Sequence, residues 1–161
     1  MKPQVVINGS MRREVSMTAK QYLSSYHRIA CNYKASVKEY KSVDEDMITI
    51  KSPSFDERVK SSPQNDPIGE IVINLEKQKA MISVRMLNFQ SRMSIIRNQL
   101  AELEAVNSEY YTVLMLRYIL DEDWKSICSK LHMSRSQANV IHGKALEEFD
   151  RMFSEVYINV V

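Results

Sequence analysis

The stretch WKSICSKLHMSRSQANVIHGKAL, residues 124–146, decides how the last third of this chain folds. Its apolar residues recur at helical spacing in two runs separated by a two-residue turn, and Asp123 and Ser134 stand in front of the two runs. Aspartate and serine are preferred N-caps because their side-chain oxygens accept hydrogen bonds from the free N–H groups of a first helical turn. The stretch therefore predicts a short helix over residues 124–131, a tight turn, and a longer helix that ends at about Phe153.

A short helix, a tight turn and a capped longer helix are typical of a helix-turn-helix unit. The residues expected to form the core between the two helices are Trp124, Ile127, Leu131, Met133, Ala138, Ile141 and Ala145. Ala138 is small at the point where the helices of such a unit cross closely. A plain helical hairpin, with no binding role, remains the alternative.

If the unit binds DNA, the outward side of its second helix is the reading surface. The residues expected to project from the first two turns of that helix are Arg135, Ser136, Gln137, Asn139 and His142. All can donate hydrogen bonds to bases or phosphates, and none carries a negative charge. Arg135 is the best candidate for a bidentate contact with guanine. The residues placed for phosphate contacts are Ser134, Lys125 and Lys144, and the helix N-terminus adds a partial positive charge there.

The charge of the chain is small and unevenly distributed. The formal net charge is +2, too little to indicate a nucleic-acid partner by itself. The balance of Lys and Arg over Asp and Glu is +3 in residues 1–66, +1 in residues 67–106 and −2 in residues 107–161. Residues 131–146, however, carry two positive charges and no negative one. With so few cations, the affinity for DNA should depend only weakly on salt concentration for each subunit. Two subunits would therefore be needed for useful affinity.

Two amphipathic helices precede the unit. The first is predicted over residues 18–47, with a seam at Leu23, Tyr26, Ala30, Tyr33, Val37, Tyr40 and Met47. The second is predicted from Pro67, after an Asp66 N-cap, to about Val106, with a stripe at Ile68, Ile71, Leu75, Ile82, Met86, Phe89, Met93, Ile96, Leu100 and Leu103. Together they predict a long antiparallel hairpin, a coiled-coil-like arm. The longer second helix leaves a surplus apolar stripe, which favours a homodimer or a higher homo-oligomer.

The chain as a whole is predicted to be all-α. Only 3 Gly and 4 Pro argue against an all-β fold, which needs many turns. We expect a flexible N-terminal extension over residues 1–16 and a helical arm over residues 17–106, with a proline-containing loop at 48–66. A helix-turn-helix domain over residues 107–153 and a C-terminal tail over residues 154–161 should follow. The β-prone stretches VVIN and VYINVV, near the two ends, could pair as a ribbon, but fraying is the expectation.

The sequence offers little for catalysis or metal binding. Cys31 and Cys128 lack metal-ligand spacing, and the three histidines are scattered. The three glycines are isolated, and no serine lies in a nucleophile-elbow pattern. We therefore expect no enzyme, no cofactor and no metal. No apolar stretch approaches membrane-spanning length and no signal-peptide core is present, so the prediction is a cytoplasmic protein without a membrane partner.

The segments VLMLRYIL and WKSICSKLHMSRSQANVIHGKAL resemble, over about 35 residues, the fourth region of bacterial sigma factors. The order MTAKQYL, a helix, SPSFDERVKSS, a long helix and this unit spans residues 17–153. It is similar to a family of phage and prophage proteins of Gram-positive bacteria related to ArpU-type and RinA-type late-gene regulators. The resemblance implies a DNA-binding transcriptional regulator acting in a bacterial host cell.

The resemblance also bears on single residues. Arg135 matches a base-reading arginine of the sigma helix. Ser136 and Val140 replace an acidic and a glutamine base-reading residue, and Gln137 and Asn139 replace basic phosphate-binding residues. These departures indicate a target other than a sigma promoter element, read with fewer contacts.

The sequence thus predicts a sequence-specific regulator that oligomerises through the arm and inserts helix 134–153 into the major groove of double-stranded DNA. Two-fold symmetry would place half-sites about 34 Å apart, or a multiple of that. Two alternatives stay open. One is a protein–protein device that binds or inhibits a host protein, such as RNA polymerase or a defence enzyme. The other is a small terminase-like DNA-packaging protein, for which a large ring would be expected.

Overall fold

The computed structural model describes residues 17–51 and 67–159, and within these ranges the chain is helical and contains no strand. The α-helices are α1 (Ala19–Lys51), α2 (Pro67–Val106), α3 (Ser108–Leu114), α4 (Trp124–Lys130) and α5 (Arg135–Phe153). A π-helical turn, Met115–Ile119, follows α3, and a 3-10 turn, Ser154–Asn159, follows α5. The all-α prediction is confirmed.

The two long helices, α1 and α2, form an antiparallel hairpin. Four side-chain contacts fix their register: Tyr22 Oη donates to Gln99 Oε1 (2.8 Å), Gln90 Nε2 to Tyr33 Oη (2.9 Å) and Arg85 Nη1 to Glu39 Oε2 (2.9 Å), and Lys79 pairs with Asp44. From one pair to the next, the α1 partner rises from Tyr22 to Asp44 while the α2 partner falls from Gln99 to Lys79. The helices therefore run in opposite directions. The predicted long hairpin is confirmed.

Both ends of α2 follow from local sequence. Pro67 supplies the fixed φ that suits a first helical position. At the other end Asn107 adopts an extended conformation, with φ −155°, and its Oδ1 accepts from the N–H groups of Glu109 (2.9 Å) and Tyr110 (3.2 Å). Asn107 therefore ends α2 and caps α3 in a single residue.

The inner face of α2, which packs on α1, matches most of the predicted stripe. Ile82, Ile96 and Leu100 are buried, whereas Ile68 and Ile71, at the start of the stripe, are exposed. The hairpin register explains this difference, because it places both isoleucines beyond Lys51, the last described residue of α1.

The main core lies at the end of the hairpin where α1 begins and α2 ends. Its buried members are Ala19, Tyr22, Leu23, Tyr26, Ile29, Ile96, Leu100, Leu103, Leu114, Tyr118, Ala145, Phe149, Phe153 and Tyr157. They come from both arm helices, from α3, the π-helical turn and α5, and from the 3-10 turn. The C-terminal unit, residues 107–159, thus shares one core with the arm.

The structure differs from the expected C-terminal tail, because part of that segment belongs to this core. Residues Ser154–Asn159 form a turn of 3-10 helix, and Tyr157 is only 1 % exposed. Its ring stacks on Tyr22, with 4.5 Å between centroids, and lies 6.2 Å from the ring of Phe149. The prediction of fraying is wrong for this turn because Tyr157 has a buried site on the arm.

Some predictions fall outside the described residues. These are the N-terminal extension 1–16, including VVIN, and most of the loop predicted over 48–66. Residues 48–51 of that loop are helical, since α1 continues to Lys51. Within the described ranges, no helix combines the length and the apolar character needed to span a bilayer.

Candidate nucleic-acid interface

The pair α4–α5, with the turn between, forms the predicted helix-turn-helix arrangement. Ile127 of α4 and Ala138 of α5 are both fully buried, so the small alanine side chain permits close contact. In the turn, the Met133 N–H donates to the Cys128 carbonyl (3.1 Å), and His132 adopts a left-handed conformation with φ 51°. The turn is therefore tight, and it sets where α5 begins.

Both predicted N-caps are confirmed. Asp123 Oδ1 accepts from the Ser126 N–H at 2.7 Å. Ser134 and Gln137 form a capping box: Ser134 Oγ accepts from the Gln137 N–H (3.2 Å), and Gln137 Oε1 accepts from the Ser134 N–H (2.9 Å). The cap uses only acceptor atoms of these two side chains, so the hydroxyl hydrogen of Ser134 and the amide hydrogens of Gln137 can still be donated outward.

The outward row of α5 lies opposite its buried residues Ala138 and Ala145. At about 100° per residue, this row consists of Ser136, Val140, Gly143 and Glu147. Asn139, on one flank of the row, and Gln137 and Lys144, on the other, are also exposed. Of the predicted contact residues, the structure thus brings Ser136, Gln137, Asn139 and Lys144 to one surface, with Ser134 at its N-terminal end.

Val140 and Gly143 belong to this surface although they were not among the predicted site residues. The Val140 side chain is 55 % exposed. A Cβ added at Gly143 would meet nothing within 4 Å, so packing within the chain does not require glycine there. Helical periodicity, applied with Ala138 and Ala145 as the buried side, could have identified both. Beyond them Glu147 makes the row acidic, which limits the candidate surface to the first half of α5.

Arg135 lies beside this surface and is held by an aromatic ring. Its guanidinium carbon is 4.4 Å from the ring centroid of Trp124, and that of Arg117 is 5.6 Å from the same centroid. Arg117 also donates from Nη1 to the Glu122 carbonyl at 2.8 Å. Stacking on a ring face leaves the in-plane N–H groups of a guanidinium available. Arg135 is therefore both oriented and able to donate.

His142 does not project outward as predicted. Its ring is half-buried, its Nε2 lies 3.0 Å from the Tyr118 hydroxyl, and it packs edge-on against Trp124 at 5.0 Å between centroids. Burial lowers the pKa of the imidazole, and the positive charges of Lys20, Arg117 and Arg135 lower it further. The prediction that His142 projects outward is wrong because its imidazole packs against Tyr118 and Trp124.

Five cations accompany the surface. Within the described part of the chain, none of them lies within ion-pair distance of a carboxylate: Lys20, Arg117, Lys125, Arg135 and Lys144. The nearby acid Glu122 pairs with Lys130, whose hydrogen bond lowers the pKa of that carboxyl, and Glu148 pairs with Arg151. These five cations thus have no acidic partner among the described residues, although residues 107–161 have a negative balance.

Two of these cations, Lys20 and Arg117, were missed by sequence reasoning. Lys20 lies at the start of α1, and its charge acts on His142 of α5. Only the docking of α5 on the arm brings it there: the Ala19 N–H donates to Asp150 Oδ1 at 3.0 Å. No local pattern could have placed Lys20 beside the helix-turn-helix pair.

This surface combines several kinds of hydrogen-bond donor. It presents hydroxyl, amide, guanidinium and ammonium donors together with one apolar side chain, a set that suits phosphates and base edges. Among the described residues, no group of three or more His, Cys, Asp and Glu side chains is arranged to hold a metal ion. Comparison of the chain with protein-family models, with curated proteins and with solved structures found no match.

Proposed function

We propose that the protein is a sequence-specific DNA-binding transcriptional regulator of the phage and prophage type that its sequence resembles. In this proposal α5 enters the major groove of double-stranded DNA and the helical arm joins two copies. The observation that carries the proposal is the first half of α5: an outward surface of hydrogen-bond donors without a carboxylate, flanked by cations that have no acidic partner within the described residues.

Each part of the surface has a role in this proposal. Arg135, oriented by Trp124, is suited to a bidentate contact with guanine. Ser136, Gln137 and Asn139, on the outward surface of the same helical turns, would donate to bases or phosphates. Gly143 has no side chain to hold the helix away from the groove.

The phosphate contacts come from both flanks of α5. The N–H groups of its first turn carry a partial positive charge that favours phosphate. Lys125 precedes this turn, Lys144 follows two turns later, and Lys20 and Arg117 widen the positive region. His142, neutral and packed on Tyr118, contacts Trp124 from the inner side and makes no base contact in this proposal.

The substitution Arg135→Ala tests the proposal. DNA fragments bound by the purified protein would first be selected from a phage or prophage genome, and affinities would then be measured by mobility shift. A good bidentate contact discriminates by about 1–3 kcal/mol, so we expect about a 5- to 150-fold loss of specific affinity. The circular dichroism spectrum should stay unchanged and the thermal midpoint should shift only slightly, because Arg135 is exposed and its contact with Trp124 is worth about 0.5–1 kcal/mol.

Arg151→Ala is the matched control. Arg151 is an exposed arginine of the same helix, at its far end, where it pairs with Glu148. We expect this variant to bind like the unsubstituted chain. Equal binding by Arg135→Ala, or a wild-type chain that selects no fragment, would contradict the proposal.

A second candidate function, binding of a host protein, is favoured by one observation. The side of α2 that faces away from α1 exposes Ile73, Val84, Leu87 and Ile95, and Met81 is exposed at its edge. Such a surface fits a helical partner from another protein as well as from a second copy. Purification from host lysate of RNA polymerase bound to the chain, surviving nuclease treatment and lost in Leu87→Glu, would support this function.

A further inference from the structure

The outer stripe of α2 is a second apolar face on a helix that already packs against α1. We define it as Ile73, Ala80, Met81, Val84, Leu87 and Ile95. Its five large members are 37 to 67 % exposed. At about 100° per residue, five of its members lie on the side of α2 opposite the inner face, which includes Ile82 and Leu100, and Met81 lies on the flank between the two sides. The stripe is therefore not part of the hairpin core.

The spacing of the stripe is that of a helix made to pack against another helix. The positions Ile73, Ala80, Val84 and Leu87 are separated by steps of 7, 4 and 3 residues, which keep a seam on one side. From Ile73 to Ile95 the stripe is about 33 Å long at a rise of about 1.5 Å per residue. This length equals that of three heptads and exceeds what scattered surface residues produce.

The same face of α2 continues toward its C-terminal end with small or polar residues. Those on the continuation of the seam, all exposed, are Ser91, Ser94, Asn98, Ala101 and Ala105. One half of the face is thus bulky and the other half is small. Two copies in parallel would place bulky against bulky and small against small, which leaves voids. Two antiparallel copies would place each bulky half against a small half.

We propose that the outer stripe is the interface of a homodimer in which two α2 helices pack antiparallel about a two-fold axis near Asn88. With Leu87 opposite Ser91 of the second copy, Val84 meets Ser94 and Ile73 meets Ala105. The same register places Met81 beside Ile95 of the second copy, an apolar pair, and Asn88 beside its own equivalent. Side-chain size is therefore complementary at the three seam pairs, and the flanking Met81–Ile95 pair adds an apolar contact.

Charge points to the same orientation. Lys77 occupies the seam position between Ile73 and Ala80, Glu102 lies beside the seam, and both are exposed. The antiparallel register brings Lys77 of one copy next to Glu102 of the other, near each end of the contact. A parallel pair would instead bring lysine to lysine and glutamate to glutamate. This interface rests on the assembly contained in the proposed function.

Cysteine cross-linking tests the orientation, in a chain whose own cysteines are replaced by Cys31→Ser and Cys128→Ala. We expect Asn88→Cys to oxidise to a disulfide-linked dimer. Ile73→Cys alone should not link to itself, whereas a mixture of Ile73→Cys and Ala105→Cys chains should form a mixed dimer. Self-linking of Ile73→Cys would indicate a parallel pair, and no link in any variant would indicate another interface; either result overturns the proposal.

Light scattering tests the surface. The full chain has a mass of 18.7 kDa, and we expect a particle of twice that mass. Leu87→Glu should give the monomer with unchanged helix content, since Leu87 is exposed. Leu120→Glu is the matched control, because Leu120 is a similarly exposed leucine outside the stripe, and it should stay dimeric. A wild-type monomer, a ring of eight or more copies, or a dimeric Leu87→Glu would overturn the proposal.

The two proposals can fail separately. Dimerisation and cross-linking need no DNA, so a chain that dimerises as described but binds no DNA would overturn only the regulator. A monomeric chain that binds selected DNA with loss on Arg135→Ala would overturn only this interface.

Discussion

At the scale of single residues, Trp124 organises the cationic side of the C-terminal unit. Arg117 and Arg135 lie over its ring, and His142 packs edge-on against it. Two guanidinium groups on one indole, without an acidic side chain between them, repel each other. The arrangement is therefore suited to an anionic partner that would neutralise both, and it keeps His142 neutral in the meantime.

His142 should make the stability of the protein depend on pH. Burial and the nearby Lys20, Arg117 and Arg135 lower its pKa in the folded protein. As the pH falls through the ordinary histidine pKa of about 6.5, the unfolded chain takes up a proton before the folded chain does. The stability contributed by neutral His142 is therefore complete above this pKa range, and the free energy of unfolding falls on acidification from pH 7.5 to 5.5. His142→Gln, which can keep a hydrogen bond to Tyr118, should reduce this dependence.

Urea unfolding at several pH values measures the effect of His142. His27→Gln is the control: His27 is an exposed histidine with an ion-pair contact to Asp121, 3.5 Å away, and lies outside the packed cluster. We expect the control to keep the pH dependence that His142→Gln loses. The same slope of stability against pH in both variants would contradict the assignment to His142.

At the scale of elements, signals carried by neighbouring residues were predictable and distant contacts were not. The bounds of α2 follow from Pro67 and Asn107, and the start of α5 follows from Ser134, because a cap needs only the next three residues. His142 was placed outward because its partner, Tyr118, lies 24 residues away. The Ser154–Asn159 turn was missed for the same reason: its anchor, Tyr157, packs on Tyr22 at the other end of the chain.

The 3-10 turn should contribute strongly to stability through Tyr157. Its ring fills a site between Tyr22 and Phe149, and truncation of a buried aromatic residue costs about 3–5 kcal/mol. We expect Tyr157→Ala to lower the free energy of unfolding by about that amount in urea titrations. Val156→Ala, a neighbour in the same turn whose side chain is exposed, should change it by less than about 1 kcal/mol. A similar small effect of both substitutions would show that the turn is not anchored.

At the scale of the whole molecule, the arm and the C-terminal unit pack together through one shared core. Heptad-like spacing predicted the hairpin, and turn chemistry predicted the helix-turn-helix pair. Neither could predict that α5 docks against the start of α1, since Asp150 and Ala19 lie far apart in sequence. Heptad-like spacing also predicts the surplus apolar surface on the inner stripe, whereas most of it lies on the opposite side of α2. A helix with two apolar sides shows a weaker periodic pattern than a helix with one.

The antiparallel dimer and the DNA-binding surface together predict the spacing of DNA half-sites. Each C-terminal unit lies at the Val106 end of α2. In a dimer centred near Asn88, the two Val106 ends lie about 50 Å apart, at about 1.5 Å per residue. This distance exceeds one turn of DNA, about 34 Å, and two turns, about 68 Å, are the next separation at which both half-sites face the same side of the duplex, so we expect half-sites centred two turns apart.

Binding to DNA duplexes with two half-sites at stepwise separations checks this spacing. Affinity should be highest near about 21 base pairs, two turns of about 10.5. It should fall near about 16 base pairs, where the second site lies on the opposite side of the duplex. Leu87→Glu should remove the dependence on separation while keeping the affinity for a single half-site, because it breaks the dimer and leaves α5 unchanged. A maximum at one turn would contradict the antiparallel register, since the two copies of α2 would then hold the C-terminal units too far apart to reach both sites.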